Sequence, residues 1–117
     1  MTNQQKNQLI ADKCPGVFKN IKVAFVTSSG WYFFSKTANE WCRCVNGSII
    51  DDLNAMAVAE ATLNPEQLGL FAMWWVGLVE TFHRLPSGYY PIEHYIWHAT
   101  SHQRAEAFLR TIGKWEK

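Results

Sequence analysis

Apolar residues recur at helical spacing near the end of the chain. Those that share one face of the predicted helix are Ala105, Phe108, Leu109 and Ile112. Thr100 precedes them as an N-cap and Gln103 follows three positions later, a capping-box pairing that satisfies backbone donors at a helix start. Gly113 suits the left-handed residue that ends many helices. The pattern predicts a C-terminal helix with a defined beginning and end.

Two other segments carry similar signals. Asn3–Lys13 is predicted to form a short polar helix, which Pro15 ends because a proline disfavours helical geometry in the residue before it. Asn64–Gln67 supplies a cap, a proline at the first helical position and a capping-box glutamine, so a long helix is expected from there to about Arg84. Its interior, Leu68–Val79, is apolar on nearly every face, which indicates a helix in the centre of the fold or in an interface.

A further helix is expected over Ile49–Leu63. Ser48 is its predicted N-cap, and Asp51 and Asp52 suit the positive end of the helix dipole. The residues expected on its buried side are Leu53, Met56 and Leu63.

Strand signals precede and follow these helices. Lys22–Thr27 and Trp31–Ser35 are rich in β-branched and aromatic residues and flank a short Ser-Ser-Gly loop, so they predict a β-hairpin. Thr37–Val45 is ambiguous between strand and helical turn, and we favour a third strand. After a loop over Leu85–Pro91, Ile92–Ala99 is expected to be a strand that leads into the C-terminal helix.

These elements predict an α+β fold in which a small antiparallel sheet, the hairpin plus one or two further strands, packs against three to four helices. With 117 residues the chain is expected to form a single domain over residues 1–117. Its first residues lack the charged and apolar regions of a secretory signal, and its longest uncharged apolar stretch is shorter than a membrane span. We therefore expect a cytoplasmic protein without membrane contact.

Charge and aromatic content narrow the choice of partner. The formal charge of +1 gives no global field that would attract nucleic acid or anionic lipid. Aromatic residues make up 15% of the chain and include six tryptophans, a surplus that favours protein interfaces as well as cores. Because adjacent helix residues point about 100° apart, Trp74 and Trp75 cannot both face one side of their helix. The candidate interface residues are Trp31, Tyr32, Trp74, Trp75, Tyr89 and Tyr90.

A modest basic stripe on the last helix offers candidate phosphate contacts at Arg104, Arg110 and Lys114. Glu106 and the near-neutral total dilute this stripe. A solvated helix face is the favoured interpretation, and phosphate binding is the alternative.

Metal binding is weakly indicated. His94, His98 and His102 are four residues apart, but the predicted cap at the start of the last helix removes their shared face. Cys42 and Cys44 would share one face of a strand, yet no second ligand pair accompanies them. We expect free thiols, no disulfide, no metal and no cofactor.

Catalytic motifs are also lacking. Asp51 and Asp52, with Glu60 further along, resemble an acid and base pairing, but dipole compensation explains the two aspartates without chemistry. The sequence contains no phosphate-binding glycine loop, nucleophile elbow or metalloprotease motif. We therefore expect a protein that is not an enzyme.

Two blocks, Ser48–Glu60 and His98–Trp115, resemble a widespread group of small phage and prophage proteins of unknown function. The group shares an Asp-Leu-Asn-Ala-Met segment and an Ala-Thr-x-x-Gln-Arg-Ala-Glu-Ala-(Leu/Phe)-Leu-Arg end, both present here. The resemblance implies a compact α/β sandwich and a viral accessory gene product, and it transfers no catalytic residue.

The leading expectation is therefore a phage- or prophage-encoded accessory protein that binds a host protein, such as a component of a defence complex that it inhibits, for example as an anti-CRISPR. The aromatic surplus is also consistent with a homodimer. A small-molecule or nucleotide binder that sequesters a signal and a nucleic-acid-binding accessory protein are the alternatives.

Overall fold

The computed structural model describes residues 1–22, 29–82 and 100–116, and its architecture confirms the α+β class. Its elements are helix α1 (Asn3–Lys13), strands β1 (Phe18–Ile21), β2 (Gly30–Ser35) and β3 (Glu40–Arg43), and helices α2 (Leu53–Glu60), α3 (Pro65–Phe82) and α4 (Ser101–Thr111). Two short 3₁₀ turns, Val45–Gly47 and Ile49–Asp51, connect the sheet to α2. The loop and strand expected between 85 and 99 lie outside the described residues.

The three described strands form an antiparallel sheet in the order β1-β2-β3, which confirms the third strand. Phe18 of β1 pairs with Phe33 of β2, and Phe33 pairs in turn with Cys42 of β3. The strand that pairs with β2 therefore begins earlier than expected, because the register is set by these cross-strand pairs and not by β propensity alone. Most of the predicted strand Lys22–Thr27 lies outside the described residues.

A close approach of two glycines fixes the start of β2. Gly30 has φ +126°, and a Cβ at this position would lie 2.6 Å from the Cα of Gly47. Gly47 itself has φ +64° and ends the turn that follows β3. Only residues without side chains allow the two backbones to pass at this distance.

The caps of two helices, α3 and α4, follow the sequence prediction. Thr100 and Gln103 form the capping box of α4, and Asn64 and Gln67 exchange the same pair of hydrogen bonds at the start of α3. The α4 helix ends in a Schellman motif, in which the backbone N–H of Lys114 donates to Leu109 and that of Gly113 donates to Arg110. The α1 helix spans the predicted residues.

The prediction for α2 is wrong at its N-terminus. Ser48 makes no cap hydrogen bond, and the segment expected to start the helix forms a 3₁₀ turn. Asp52 is the N-cap: its Oδ1 accepts from Asn54 and Ala55, and its Oδ2 accepts from the backbone N–H of Val45. Because the helix starts later, Leu53 is 49% exposed and does not lie on the buried side.

The core surrounds α4, which packs against α1, α2, α3 and the 49–51 turn. Phe108 and Leu109 of α4 are fully buried, together with Met56 of α2. Trp31 of β2 is only 8% exposed and belongs to this core, so its indole does not form part of an accessible surface. In the described part of the chain, no helix is long and apolar enough to cross a membrane.

We predict that Asp52→Ala lowers the free energy of unfolding by about 2–4 kcal/mol, because it removes a helix cap and leaves the Val45 N–H without its acceptor. Asp52→Asn retains a capping oxygen and should cost clearly less. Ser48→Ala should also cost less than Asp52→Ala, since the Ser48 hydroxyl caps no helix and, among the described residues, exchanges hydrogen bonds with the Asn7 side chain alone. Urea unfolding measures all three, and equal losses for Ser48→Ala and Asp52→Ala would contradict this assignment of the cap.

Candidate functional site

The α3 helix has one packed face and one exposed apolar face. Phe71 is buried against the core, and Trp75 and Leu78 pack partly against it. Leu70, Met73 and Trp74 lie on the other side, and Met73 is 72% and Trp74 43% exposed. Among the described residues, four of the seven exposed large hydrophobic side chains lie in α3. The apolar surplus that the sequence showed is therefore concentrated on one helix.

The exposed face is continuous along two helical turns. Leu70, Met73, Trp74 and Gly77 occupy positions i, i+3, i+4 and i+7, so they form one stripe. All four are exposed. A Cβ at Gly77 would meet no heavy atom of the described residues within 4 Å outside the helix's own backbone, and the stripe carries no side chain at this end. We call these four residues the α3 stripe.

Trp74 is held in place by a stack of cations and rings. The guanidinium of Arg110 lies 4.9 Å from the centroid of the Trp74 ring and 5.4 Å from that of Trp115. Lys6 of α1 lies 4.9 Å from the Trp115 ring. Each distance is within the range of a cation–π attraction. The stack joins α3, α4, the C-terminal tail and α1, and it orients the Trp74 indole.

The neighbouring Trp75 is oriented inward by the other arginine of α4. Arg104 lies 5.4 Å from its ring centroid and also binds the Glu60 carboxylate through two hydrogen bonds, with Nε donating to Oε1 at 2.7 Å and Nη2 donating to Oε2. Two adjacent tryptophans therefore have different roles. Trp75 belongs to the packed layer between α3 and α4, and Trp74 belongs to the surface.

Burial and the Arg104 guanidinium act in opposite directions on the pKa of Glu60. Loss of water around this carboxyl raises its pKa, and the hydrogen bonds and charge of Arg104 oppose that rise without cancelling it. The folded state thus binds a proton at Glu60 more tightly than the unfolded state does. The contribution of this group to stability is present below the unfolded pKa and is lost as the pH rises through the folded pKa.

The three carboxylates considered as acid and base groups have separate structural partners. Asp51 contacts His102 Nε2, Asp52 caps α2, and Glu60 binds Arg104. Each of the three carboxylates therefore has a structural role of its own. His94 and His98 lie outside the described residues.

The cysteines are free thiols in different environments. Cys14 contacts Thr62 Oγ1 at 3.3 Å, and burial raises its pKa. Burial, with the nearby Asp52 charge, raises the pKa of Cys44 to about 12. Cys42 is half-buried. No group of three or more potential metal-ligating side chains occurs within the described ranges.

Two of the three predicted phosphate contacts, Arg104 and Arg110, have other partners. Arg104 binds Glu60, and Arg110 Nε donates to Glu106 Oε2 at 3.0 Å while its guanidinium stacks between two indoles. Lys114 is exposed at the end of α4. A phosphate at either arginine would compete with an existing carboxylate.

Two aromatic residues were missed by sequence reasoning. Trp115 lies just after Gly113, which ends α4, and its ring stacks on the Arg110 guanidinium. The only sequence signal for this contact was that the basic residues Arg110 and Lys114 precede Trp115. Trp41 lies on the outer face of the sheet, edge to face with Phe34, and Lys19 sits 4.3 Å from its ring centroid. Tyr32 is partly buried in β2, and Tyr89 and Tyr90 lie outside the described residues.

Comparison with family models, curated proteins and solved structures finds no significant match to the chain.

We predict that Arg104→Met lowers the free energy of unfolding by about 2–4 kcal/mol near pH 8, because it leaves the desolvated Glu60 carboxylate without its cation. Glu60→Gln should cost less, since it removes the buried charge and keeps an acceptor for Arg104.

The deficit of Arg104→Met should shrink as the pH falls towards about 5, because protonation neutralises the unpaired carboxyl. Urea unfolding at several pH values measures this trend. A deficit independent of pH, or an equal cost for Glu60→Gln, would contradict the role assigned to the pair.

Proposed function

We propose that this protein is a non-enzymatic accessory protein, encoded by a phage or prophage, that docks on a host protein through the α3 stripe. The observation that carries the proposal is the exposed Trp74 ring, backed by Arg110 and continuous with Leu70 and Met73. The resemblance of the capped helical blocks to small phage proteins supports the viral origin. A component of a host defence system, which docking would inhibit, is the class of partner that this origin favours.

The spacing of the stripe favours a particular mode of recognition. Apolar side chains at i, i+3 and i+4, here Leu70, Met73 and Trp74, are anchors of the kind by which a helix binds an apolar groove. Gly77 adds no side chain to the stripe, which favours a close approach of the groove to the helix backbone there. We therefore propose that the partner presents a hydrophobic groove that receives α3.

The fixed orientation of Trp74 supports its role as an anchor. Interface energy is concentrated in a few residues, with tryptophan prominent among them, and a side chain already held in its bound geometry loses less entropy on binding. Arg110 stacks on the indole from within the protein itself. The ring is therefore ordered before any partner arrives.

The alternatives in which the protein binds phosphate have less support. Nucleic-acid or nucleotide binding through Arg104 and Arg110 would require each arginine to exchange its carboxylate for a phosphate. A homodimer through the α3 stripe uses the same apolar face and is distinguished by the experiment below.

We predict that Trp74→Ala weakens the partner complex about 30-fold, as expected for an anchor worth about 2 kcal/mol, and that Met73→Glu abolishes it by placing a charge in the groove. Leu53→Glu is the matched control, because Leu53 is similarly exposed but lies on α2. The partner is first captured from host lysate, and then its affinity for each purified variant is measured.

Loss of binding in both α3 variants, with full binding in Leu53→Glu, would support the proposal. Light scattering on the same samples tests self-association. If the protein is a dimer that Met73→Glu converts to a monomer, the α3 stripe binds a second copy of the chain and not a host protein. Equal affinities of all variants for the captured partner would contradict docking through α3.

A further inference from the structure

A second candidate site lies away from the α3 stripe, between α2 and the β2–β3 hairpin. This cleft has a volume of about 600 Å³. Its apolar walls come from both elements and include Phe33, Val58 and Ala57. Pockets for small molecules commonly occupy about 300–1,000 Å³ and are lined mostly by apolar groups. The size and lining match that class of site.

Small side chains on α2 create the space. Asn54, Ala57 and Val58 of α2 and Ala61, the C-cap residue, follow one another at i, i+3, i+4 and i+7, so they lie along the side of the helix that is turned to the hairpin. Residues on the opposite face of α2, such as Met56, are buried in the core. The alanines fill their face only partly, and the cleft remains between the helix and the sheet.

The polar groups of the cleft lie on its two sides. Lys36 and Thr37 follow the end of β2, and Asn54 is in the first turn of α2. The side chains of these three residues make no hydrogen bond or ion pair with any other residue that the structure describes. The Ser35 hydroxyl accepts from the backbone N–H of Ala38 at 3.2 Å and holds the turn that carries Lys36.

Charge decides the class of ligand. Lys36 is the one ionised side chain among the described residues that line the cleft. A ligand whose apolar part occupied the cleft would have its polar end near the Lys36 ammonium group. No carboxylate among the described residues pairs with that group. An anionic group on that end would gain a charge-assisted hydrogen bond.

We propose that this cleft binds a small organic anion with an apolar body, a ring or a short hydrocarbon chain carrying one acidic group. The apolar body lies between Phe33 and Val58, and the acidic group binds Lys36 with Thr37 or Asn54. This site is separate from the α3 stripe.

The probe for the test is 8-anilinonaphthalene-1-sulfonate, an aromatic anion, compared with N-phenyl-1-naphthylamine, which has the same rings without the sulfonate. Fluorescence titration of the full chain should show saturable binding of the anionic probe. Lys36→Gln should weaken that binding about tenfold and leave the neutral probe unaffected, because a charge-assisted hydrogen bond is worth about 1.5 kcal/mol. Lys13→Gln, an equal charge change on α1, should alter neither.

Cys42 reports the position of the probe, since it lines the cleft and is half-buried while Cys14 and Cys44 are each only 1% exposed. Saturating anionic probe should slow alkylation of Cys42 by iodoacetamide at least fivefold, measured by mass spectrometry. Ala57→Phe, which fills the cleft, should remove probe binding, with circular dichroism to confirm the fold. If that variant does not fold, Lys36→Gln and the Cys42 rates decide.

The proposal is overturned if bound probe leaves the Cys42 rate unchanged, or if Lys36→Gln weakens both probes equally. It is also overturned if Met73→Glu abolishes probe binding while a folded Ala57→Phe retains it, because the probe would then occupy the α3 stripe.

Discussion

The burial of α4 is the constraint on which the rest of the structure depends. Its alanines, Phe108 and Leu109 pack at the centre of the core, with α1, α2 and α3 around them. A helix with so many neighbours has only a narrow strip left for polar side chains. Arg104 and Arg110 occupy part of that strip, and their positions decide what the two tryptophans of α3 do. The capped ends of α4 hold this arrangement in register.

The two arginines of α4 contact different members of the adjacent tryptophan pair, Arg104 contacting Trp75 and Arg110 contacting Trp74. The largely desolvated Glu60 carboxylate holds Arg104 in place. Trp75 lies against this arginine and packs on the core. Arg110 has a more exposed carboxylate, Glu106, on its own helix and stacks on rings from two other elements. Its attraction to Trp74 is partly screened by solvent, but it still limits the orientations of that ring. The same residue type therefore stabilises the core at one position and presents a surface at the other.

Local signals predicted the parts of the fold that local interactions determine. The capping boxes of α3 and α4 and the glycine end of α4 involve residues within a few positions of each other, and the sequence was sufficient for all three. Asp52 shows the limit of this approach. Its second oxygen accepts from Val45, which belongs to the preceding turn, so the cap depends on a tertiary contact that moved the helix start past Ser48. The early start of β1 has the same origin, since pairing with β2 selected Phe18–Ile21.

The site was predictable only in part for the same reason. Helical geometry required Trp74 and Trp75 to face different directions, but the choice of the exposed ring depends on where α4 lies. Trp31 was an equally suitable interface candidate in the sequence, but the pairing of β2 within the sheet places its side chain in the core. The cleft left no sequence signal, because it arises from small side chains on α2 opposite a hairpin that is distant in sequence.

The charge distribution limits the kind of contact that the α3 stripe can make. A chain with a net charge of +1 exerts little long-range attraction, and its two best-placed arginines already bind carboxylates. A phosphate that bound Arg104 in place of Glu60 would leave the desolvated Glu60 carboxylate without its cation. The free-energy cost of that loss exceeds what a surface phosphate contact provides. The proposed binding at the α3 stripe should therefore depend on apolar area and shape, with association rates close to those of uncharged partners and little sensitivity to salt. These properties distinguish a groove-binding helix from a surface that attracts nucleic acid.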